Sequence, residues 1–472
     1  MRLPSASTKH RFRDWRKIAP IALCSSLVLA GCTTYQPLPL VPQDTSIRQL
    51  DQLHIDPSQM SLPALAAHRF DPSDGLDMTE VAMVAVVNNP DLKLARDDLG
   101  IARAQSFAAG LLPDPQISLS RDFPAPSAPD LMSAFSYGIS FDVTALLTRQ
   151  ASHDAAKSEE KKIELALLWQ EWQVVSQARQ LFVRVVTQEH LHLVLQQTLK
   201  LHETRYDAAT TALHAGNLTL DTVSPYLVAL EDVRRQLADL ERLQNQTRHD
   251  LNTLLGLAPD TRLDLVNGFD IPPLDRPAVE DSLRNLPHRR PDLIALEAGY
   301  QAQESKFRGA VLAQFPSLNL GLTRARDTSG IYTTGFTAGI SVPIFNRNRG
   351  NIAIEKATRQ RLHDEYQTRL NQAHAEVDRI VVDQTLLERH LAASRDAAVS
   401  LQSTADSAAR AYQAHHITAS NYVDLQSALL TKQTEVIGLE QTALEQRVAL
   451  QTLLGGEIPV IHNANQVNSH EN

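Results

Sequence analysis

The chain has 472 residues, 21% of them charged, with a formal net charge of −9 and aromatics at only 5%. Ala, Leu, Gln, Glu and Arg dominate, which favours long helices, and the acidic balance argues against nucleic acid as a partner, since phosphate binding needs a basic footprint. The only cysteines are Cys24 and Cys32, so the rest of the chain has no disulfide, no thiolate metal site and no thiol nucleophile.

The first element is a processing signal. A basic segment, RFRDWRK (11–17), precedes the apolar run IAPIALCSSLVLA (18–30). The run is short for a membrane span and ends in small residues, the pattern of a secretory signal over residues 1–31. LAGC at 29–32 resembles the bacterial lipobox, which implies a covalent lipid on Cys32 as the first mature residue. Thr33 and Thr34 follow it. By the same resemblance, the missing Asp after the cysteine implies the outer membrane rather than the inner. No later stretch approaches the roughly 18 apolar residues of a membrane helix.

From residue 88 the chain is written twice. Pro90-Asp91-Leu92 recurs as Pro291-Asp292-Leu293, Pro115 as Pro316, and Gly138-Ile139-Ser140 as Gly339-Ile340-Ser341, all at an offset of 201. Leu254-Leu255-Gly256 recurs as Leu453-Leu454-Gly455 at 199. Such self-similarity marks two copies of one unit, 88–256 and 289–456, joined by 257–288 and followed by a tail, 457–472.

Each copy has the same grammar. A helix of about 22 residues opens on Asn-Pro-Asp or Arg-Pro-Asp, with Pro suited to the first turn and Asp to the positive end of the helix dipole. Pro115 or Pro316 ends it. Two strands follow: 116–123 and 135–143 in the first copy, 317–326 and 333–344 in the second. They alternate throughout. Phe135, Tyr137, Ile139, Phe141 and Val143 oppose Ser136, Gly138, Ser140 and Asp142, and Phe336, Ala338, Ile340, Val342 and Ile344 oppose Thr337, Gly339, Ser341 and Pro343.

A very long helix comes next, from about residue 146 to 214 in the first copy, near 100 Å at about 1.5 Å per residue. Ile163, Leu167, Val174, Ala178, Leu181 and Val185 give it a narrow apolar stripe of the coiled-coil kind. It breaks at HAGNLT (214–219), and at HHIT (415–418) in the second copy, before a shorter helix returns. The opening and returning helices, stacked end to end, would match the long one.

Strands of this length, apolar on one face and small or polar on the other, suit a membrane barrel. Four strands cannot close around a lumen; three chains contributing four each would make twelve.

With these features in place the chain resembles the TolC family of outer-membrane efflux proteins over essentially its whole length after Cys32. The features that carry the likeness are LAGC, the duplicated unit, the two PDL segments, VPIFNRNRGN at 342–351 and the two turns. The resemblance implies a mainly helical homotrimer: a twelve-stranded outer-membrane β-barrel continuing into a long periplasmic α-helical barrel. A girdle of residues from 32–87, 257–288 and the tail would surround the helices. It further implies a passive exit duct in a Gram-negative outer membrane, extending into the periplasm. The duct would be served by a periplasmic adaptor and, through it, an inner-membrane pump.

The resemblance also assigns sites. The family's turn pattern maps onto Gly216, Thr219 and Thr222, next to Asp221, and onto His415, Thr418 and Asn421. The turns Gly216-Asn217-Leu218-Thr219 and His415-His416-Ile417-Thr418 are thereby the adaptor-docking tips. Asp424 falls on an acidic gate position, while Ile417 stands where the family's gate arginine is expected. LLPDP (111–115) and PIFNRNRGNI (343–352) resemble the heavy-metal efflux branch more than the multidrug branch.

Other readings fit less. His214, His415 and His416 suggest a metal site, yet adjacent histidines on a polar turn without Cys or Met support read as solvated. No phosphate loop, nucleophile motif or spaced carboxylate pair points to an enzyme, and beyond the lipid on Cys32 no cofactor is expected. A periplasmic adaptor lipoprotein, the main alternative, would show one hairpin inside split lipoyl-like halves rather than two hairpins each preceded by strands. A structural coiled-coil lipoprotein leaves the amphipathic strands unexplained.

Overall fold

The computed structural model describes residues 34–50, 53–124, 131–269, 271 and 273–456. Cys32, the lipidation candidate, and the tail 457–472 lie outside them. Residues up to Thr45 form a unit of their own, whose described part, 34–45, contains no helix or strand. The second unit begins at Ser46.

A short helix α1 (Pro63–Ala66) precedes α2 (Met78–Asn88). A reciprocal cap opens α2: the Asp77 carboxylate accepts from the Thr79 and Glu80 amides at 2.7 Å, and Glu80 accepts from the Asp77 amide at 2.9 Å. Val81, Ala82, Met83, Val84 and Ala85 are fully buried, packed with Leu65, Phe182, Leu251 and Leu255. A helix that is apolar all round belongs inside a core. For the same reason it has no amphipathic period, and the sequence placed it within the girdle segment 32–87 without marking a helix there.

Helix α3 (Pro90–Gly110) follows at once, with Asn89 accepting from the Leu92 amide. Then come β1 (Gln116–Asp122), β2 (Ala134–Asp142), the 72-residue α4 (Val143–His214) and the returning α5 (Leu220–Leu254). Helices α6 (Arg276–Arg284) and α7 (Leu286–Arg289) connect the copies. The second copy runs through α8 (Pro291–Leu312), β3 (Ser317–Arg326), β4 (Tyr332–Ser341), the 65-residue α9 (Arg349–Gln413) and α10 (Ala419–Leu453). At about 1.5 Å per residue the two long helices measure roughly 108 and 98 Å.

Three strands end earlier than expected, β1 and β2 by one residue and β4 by three. β2 stops at Asp142 because its carboxylate turns to cap α4, accepting from the Thr144 and Ala145 amides at 2.9 and 3.1 Å, so Val143 is helical. β4 stops at Ser341, which leaves Val342 and Ile344 outside the strand. Pro343 has no N–H to donate, and the chain then turns through Arg347 and Asn348 with φ of 46° and 52°. Asn348 pins this corner by donating to the Ala310 carbonyl of α8 at 2.8 Å. The NRNRG segment is thus a corner between sheet and helix.

Each long helix packs against the two shorter ones of its own copy, α4 against α3 and α5, α9 against α8 and α10, and α4 also packs against α2 and against α8 and α10 of the second copy. The shorter pair meets end to end, as the repeat suggested. At the first joint the Asn88 side chain donates to the Leu255 and Gly256 carbonyls at 2.7 and 3.0 Å, and Asn89 to the Leu254 carbonyl at 2.8 Å. These bonds satisfy carbonyls that the end of α5 would otherwise leave orphaned. At the second joint Gly455 lies against Arg289, and Arg290 is wholly buried. Arg290 forks onto Asp292 at 3.0 and 2.7 Å and stacks on Trp169 at 4.7 Å, while Arg369 reaches Asp292 at 2.9 Å. Burial alone would raise the Asp292 pKa; the two guanidiniums more than offset it and hold the carboxyl below its ordinary value.

Gly256 explains the recurring Leu-Leu-Gly. Its φ is +65°, and a Cβ there would overlap the Asn88 carbonyl oxygen. Gly256→Ala is expected to destabilise the protein by roughly 2–4 kcal/mol, combining a left-handed alanine with overpacking. Thermal unfolding of the full-length protein checks it, and an unchanged midpoint would refute the joint.

Candidate functional site

The strands form one antiparallel sheet in the order β1-β2-β3-β4. The register sets side chains in rows. Ile117, Ile139, Leu322 and Phe336 align across the four strands, and Phe141, Leu320 and Ala338 align nearer the helices. The alternate rows are small and polar: Ser118, Gly138, Thr323 and Gly335, then Gln116, Ser140, Gly321 and Thr337. This second face is crowded. A Cβ on Gly138 would lie 2.9 Å from the Ser118 hydroxyl and 3.2 Å from that of Thr323, so the sheet curls towards it. The apolar face lies open, with Ile117, Leu119, Ile139, Leu322, Phe336 and Ile340 all exposed. Among the described residues β1 and β4 each have one edge without a partner strand. None of the described helices is long and apolar enough to cross a membrane.

The hairpin tips lie at the opposite ends of α4 and α9 from the sheet. Their backbones match. After α4 the Gly216 amide donates to the Leu213 carbonyl and the Asn217 amide to the Ala212 carbonyl; after α9 His415 donates to Tyr412 and His416 to Ala411. Both turns therefore close with the same left-handed cap. Gly216 has φ +75°, and His415 takes the same region at +59°. Leu218 and Ile417, equivalent by the repeat, are half-buried, while Gly216, Asn217, Thr219, His415, His416 and Thr418 are exposed. Thr418 caps α10, accepting from the Asn421 amide at 3.3 Å; Thr219 instead meets the Thr222 hydroxyl at 3.0 Å. Among the described residues no three His, Cys, Asp or Glu side chains are grouped to hold a metal ion.

Asp424 does not stand alone. Arg205, nine residues before the end of α4, donates to it at 2.7 Å and to the Ser420 hydroxyl at 2.9 Å. The same guanidinium lies 3.9 Å from the ring of Tyr226 on α5. One cation thus ties both hairpins of a single chain together, with its side chain 14% exposed against 59% for Asp424. Hydrogen bonds from Ser420 and Arg205 hold the Tyr226 pKa below its ordinary value. One turn away His202 is buried, its Nε2 3.3 Å from the Ser427 hydroxyl and its Nδ1 without a partner. Sequence reasoning found Asp424 but missed Arg205, Tyr226, Ser420 and His202.

An open, curled four-stranded sheet with an apolar outer face, set on two long helical hairpins, defines a subunit of a membrane-spanning barrel joined to a helical tube. Residues 283–456, essentially the second copy, match the family described as outer membrane efflux protein. Over most of its length the chain is similar to proteins of efflux systems. It is 24% identical over 458 residues to the cation efflux system protein CusC of Escherichia coli, covering 92% of this chain and 98% of that one. It is also 24% identical over 412 residues to the probable efflux pump outer membrane protein TtgC of Pseudomonas putida, covering 80% and 83%. The fold is shared with a solved CusC structure, at TM-score 0.67, 20% identity and 89% and 99% coverage. It is shared likewise with the Campylobacter jejuni CmeC outer membrane channel, at 0.67, 17%, 90% and 95%.

The tip cluster predicts a pH dependence. Burial first, and the Arg205 charge second, lower the His202 pKa from 6.5, against a smaller opposing pull from Asp424. Unfolded chain then binds more protons than folded chain as pH drops below 6.5, so stability present above that pH falls away through the folded pKa. Protease cleavage between the hairpins should therefore speed up from pH 7 to pH 5 in the wild type and much less in His202→Gln. Equal acceleration in both would refute the role of His202.

Proposed function

We propose that three copies of this chain form a passive exit duct, their sheets closing a twelve-stranded barrel through the outer membrane and their hairpins a tube into the periplasm. The observation that carries this is the sheet: two unpaired edges and an open apolar face have no stable place in water. In lipid an unpaired edge is worse, because every backbone polar group must find a partner there. Closure with neighbouring copies satisfies both demands.

The lipid on Cys32 anchors the mature chain to the same membrane. The tips at Gly216–Thr219 and His415–Thr418 dock a periplasmic adaptor, which connects the duct to an inner-membrane pump that supplies the energy. Cargo follows the likeness to CusC, whose name specifies cation efflux, together with the LLPDP and PIFNRNRGNI segments: metal cations are favoured, with drugs and small toxic compounds the second reading. Asp424, as gate residue, works within its own chain. Its bond to Arg205 holds the two hairpins together at the periplasmic end, and releasing it lets the tips separate.

The detergent-extracted protein should run as a trimer that dissociates only on heating and should conduct ions in planar bilayers. A detergent-independent monomer, or reproducible lack of conductance, would sink the duct. Arg205→Gln removes the ion pair and the ring contact, worth about 1–2 kcal/mol, and should raise the open fraction by up to about thirtyfold. An unchanged conductance in that variant would leave the duct standing and remove the gate.

A further inference from the structure

The outer face of the sheet does not stay apolar to its end. In the row nearest the hairpin loops the register reads Arg121, Phe135, Arg326, Tyr332. Two residues further in it reads Leu119, Tyr137, Arg324, Thr334, and the next row of that face, Ile117, Ile139, Leu322 and Phe336, is wholly apolar. Side chains two apart on a strand share a face. Three guanidiniums thus stand on the membrane face of each chain. They sit at the end remote from the helices, because both strand-connecting loops lie there while α3, α4, α8 and α9 join the other end. With the helices in the periplasm, this is the outer-leaflet rim.

The arginines are held by rings rather than by acids. Arg121 lies 4.9 Å from the Phe123 ring, Arg326 4.9 Å from Phe135 and Arg324 5.9 Å from Tyr332. Phe135 and Tyr332 meet edge to face at 6.2 Å. Among the described residues their polar partner is Ser133: Arg121 donates to its hydroxyl at 3.3 Å and Arg326 to its carbonyl at 3.1 Å. Arg326 Nε is shielded from solvent and has no acceptor. The acids beside them in sequence are turned away. Asp122 pairs in register with Ala134, on the opposite face, and Asp327 accepts from the Ser329 and Ile331 amides within its own turn.

Each guanidinium offers five donors, most of them unused here. Aromatic rings at this level are the ordinary belt of a membrane barrel, but cations on a lipid-facing row carry a desolvation penalty unless an anion meets them. Arg324 and Arg326 are about 6.8 Å apart along the strand, and Arg121 stands about 9.6 Å across it. That spacing suits separate phosphate groups on one headgroup, and guanidinium is the side chain best matched to phosphate.

We infer that Arg121, Arg324 and Arg326, braced by Phe123, Phe135 and Tyr332, form a binding site for the phosphates of the outer-leaflet glycolipid, one site per chain. The site rests on the barrel reading and adds a specific lipid partner to it. It fastens the rim of the duct laterally to the leaflet that surrounds it.

The test uses the full-length trimer in detergent, with lipid binding read by native mass spectrometry. Bisphosphorylated lipid A should bind saturably, with three molecules per trimer. Dephosphorylated lipid A, phosphatidylglycerol and inorganic phosphate should each bind much more weakly. Replacing all three residues (Arg121→Gln, Arg324→Gln, Arg326→Gln) should weaken lipid A binding by about a hundredfold, at roughly 1 kcal/mol per surface cation. The triple lysine variant should keep most of the affinity. Undiminished binding in the glutamine variant, equal binding of dephosphorylated lipid A, or equal binding of phosphatidylglycerol would each overturn the site. Should the glutamine variant fail to trimerise, the wild-type comparison of the two lipid A forms decides alone. Conductance separates the two proposals: channels with no phosphate-dependent binding refute the lipid site only, whereas no trimer and no conductance sinks both.

Discussion

A strand in hydrocarbon has one way to satisfy its backbone, which is another strand. The order β1-β2-β3-β4 leaves two strands half satisfied within the chain, and that deficit organises everything else. The apolar face and the small, crowded inner face both prepare the sheet for closure. Gly138 and Gly321 admit the curl because a Cβ at either would press on the adjacent strand, within 2.9 Å and 3.1 Å of its atoms. The corners then have to carry the chain between sheet and helix four times without leaving polar groups bare. Asp142 does so by capping α4 directly, and Asn348 by bonding back to α8.

The helices answer a different problem, that of length. A helix of 72 residues has no globular core along most of its course. It is stabilised instead by narrow seams with the shorter helices of both copies, laid end to end in pairs. The joints between these shorter helices are the weak points of such a design, and the chain places its most constrained groups there. Asn88, Asn89 and Gly256 close one joint; Arg289, Arg290 and Gly455 surround the other. Removing the Asp292 partner would strand a wholly buried guanidinium, so the second joint depends on that ion pair more than any exposed pair on the hairpins does.

Much of this was legible in the residues. The repeat, the four alternating strands and the two breaks are local patterns, and local patterns survive in a single sequence. Helix α2 escaped because burial on every side erases the amphipathic period that reveals a helix. The strand ends escaped by one to three residues because Val342 and Ile344 keep the alternation going past the proline that ends the ladder. The tip cluster escaped for a deeper reason. Arg205 and Asp424 are 219 residues apart and meet only through the register of two hairpins, which nothing in either segment states. The outer-rim arginines were hidden similarly. They continue an apolar row, and only the cross-strand register brings Arg121 and Arg326 to either side of Phe135.

The duplication shows where the two copies have been free to differ. Their backbones agree even at the tips, where both turns close with the same pair of hydrogen bonds. Their side chains part company at those points where one copy meets the other. Gly216 takes the left-handed position without strain, whereas His415 occupies it at a cost of about 1–2 kcal/mol for a residue with a Cβ. Arg205 reaches across to Asp424 and has no counterpart reaching back. A structure of two equal hairpins would have no reason to prefer one arrangement of its tips over another. The single-sided clasp makes α10 the element held and α4 the element that holds. The asymmetry lies in a handful of side chains, while the shared backbone keeps the tube wall the same all the way round.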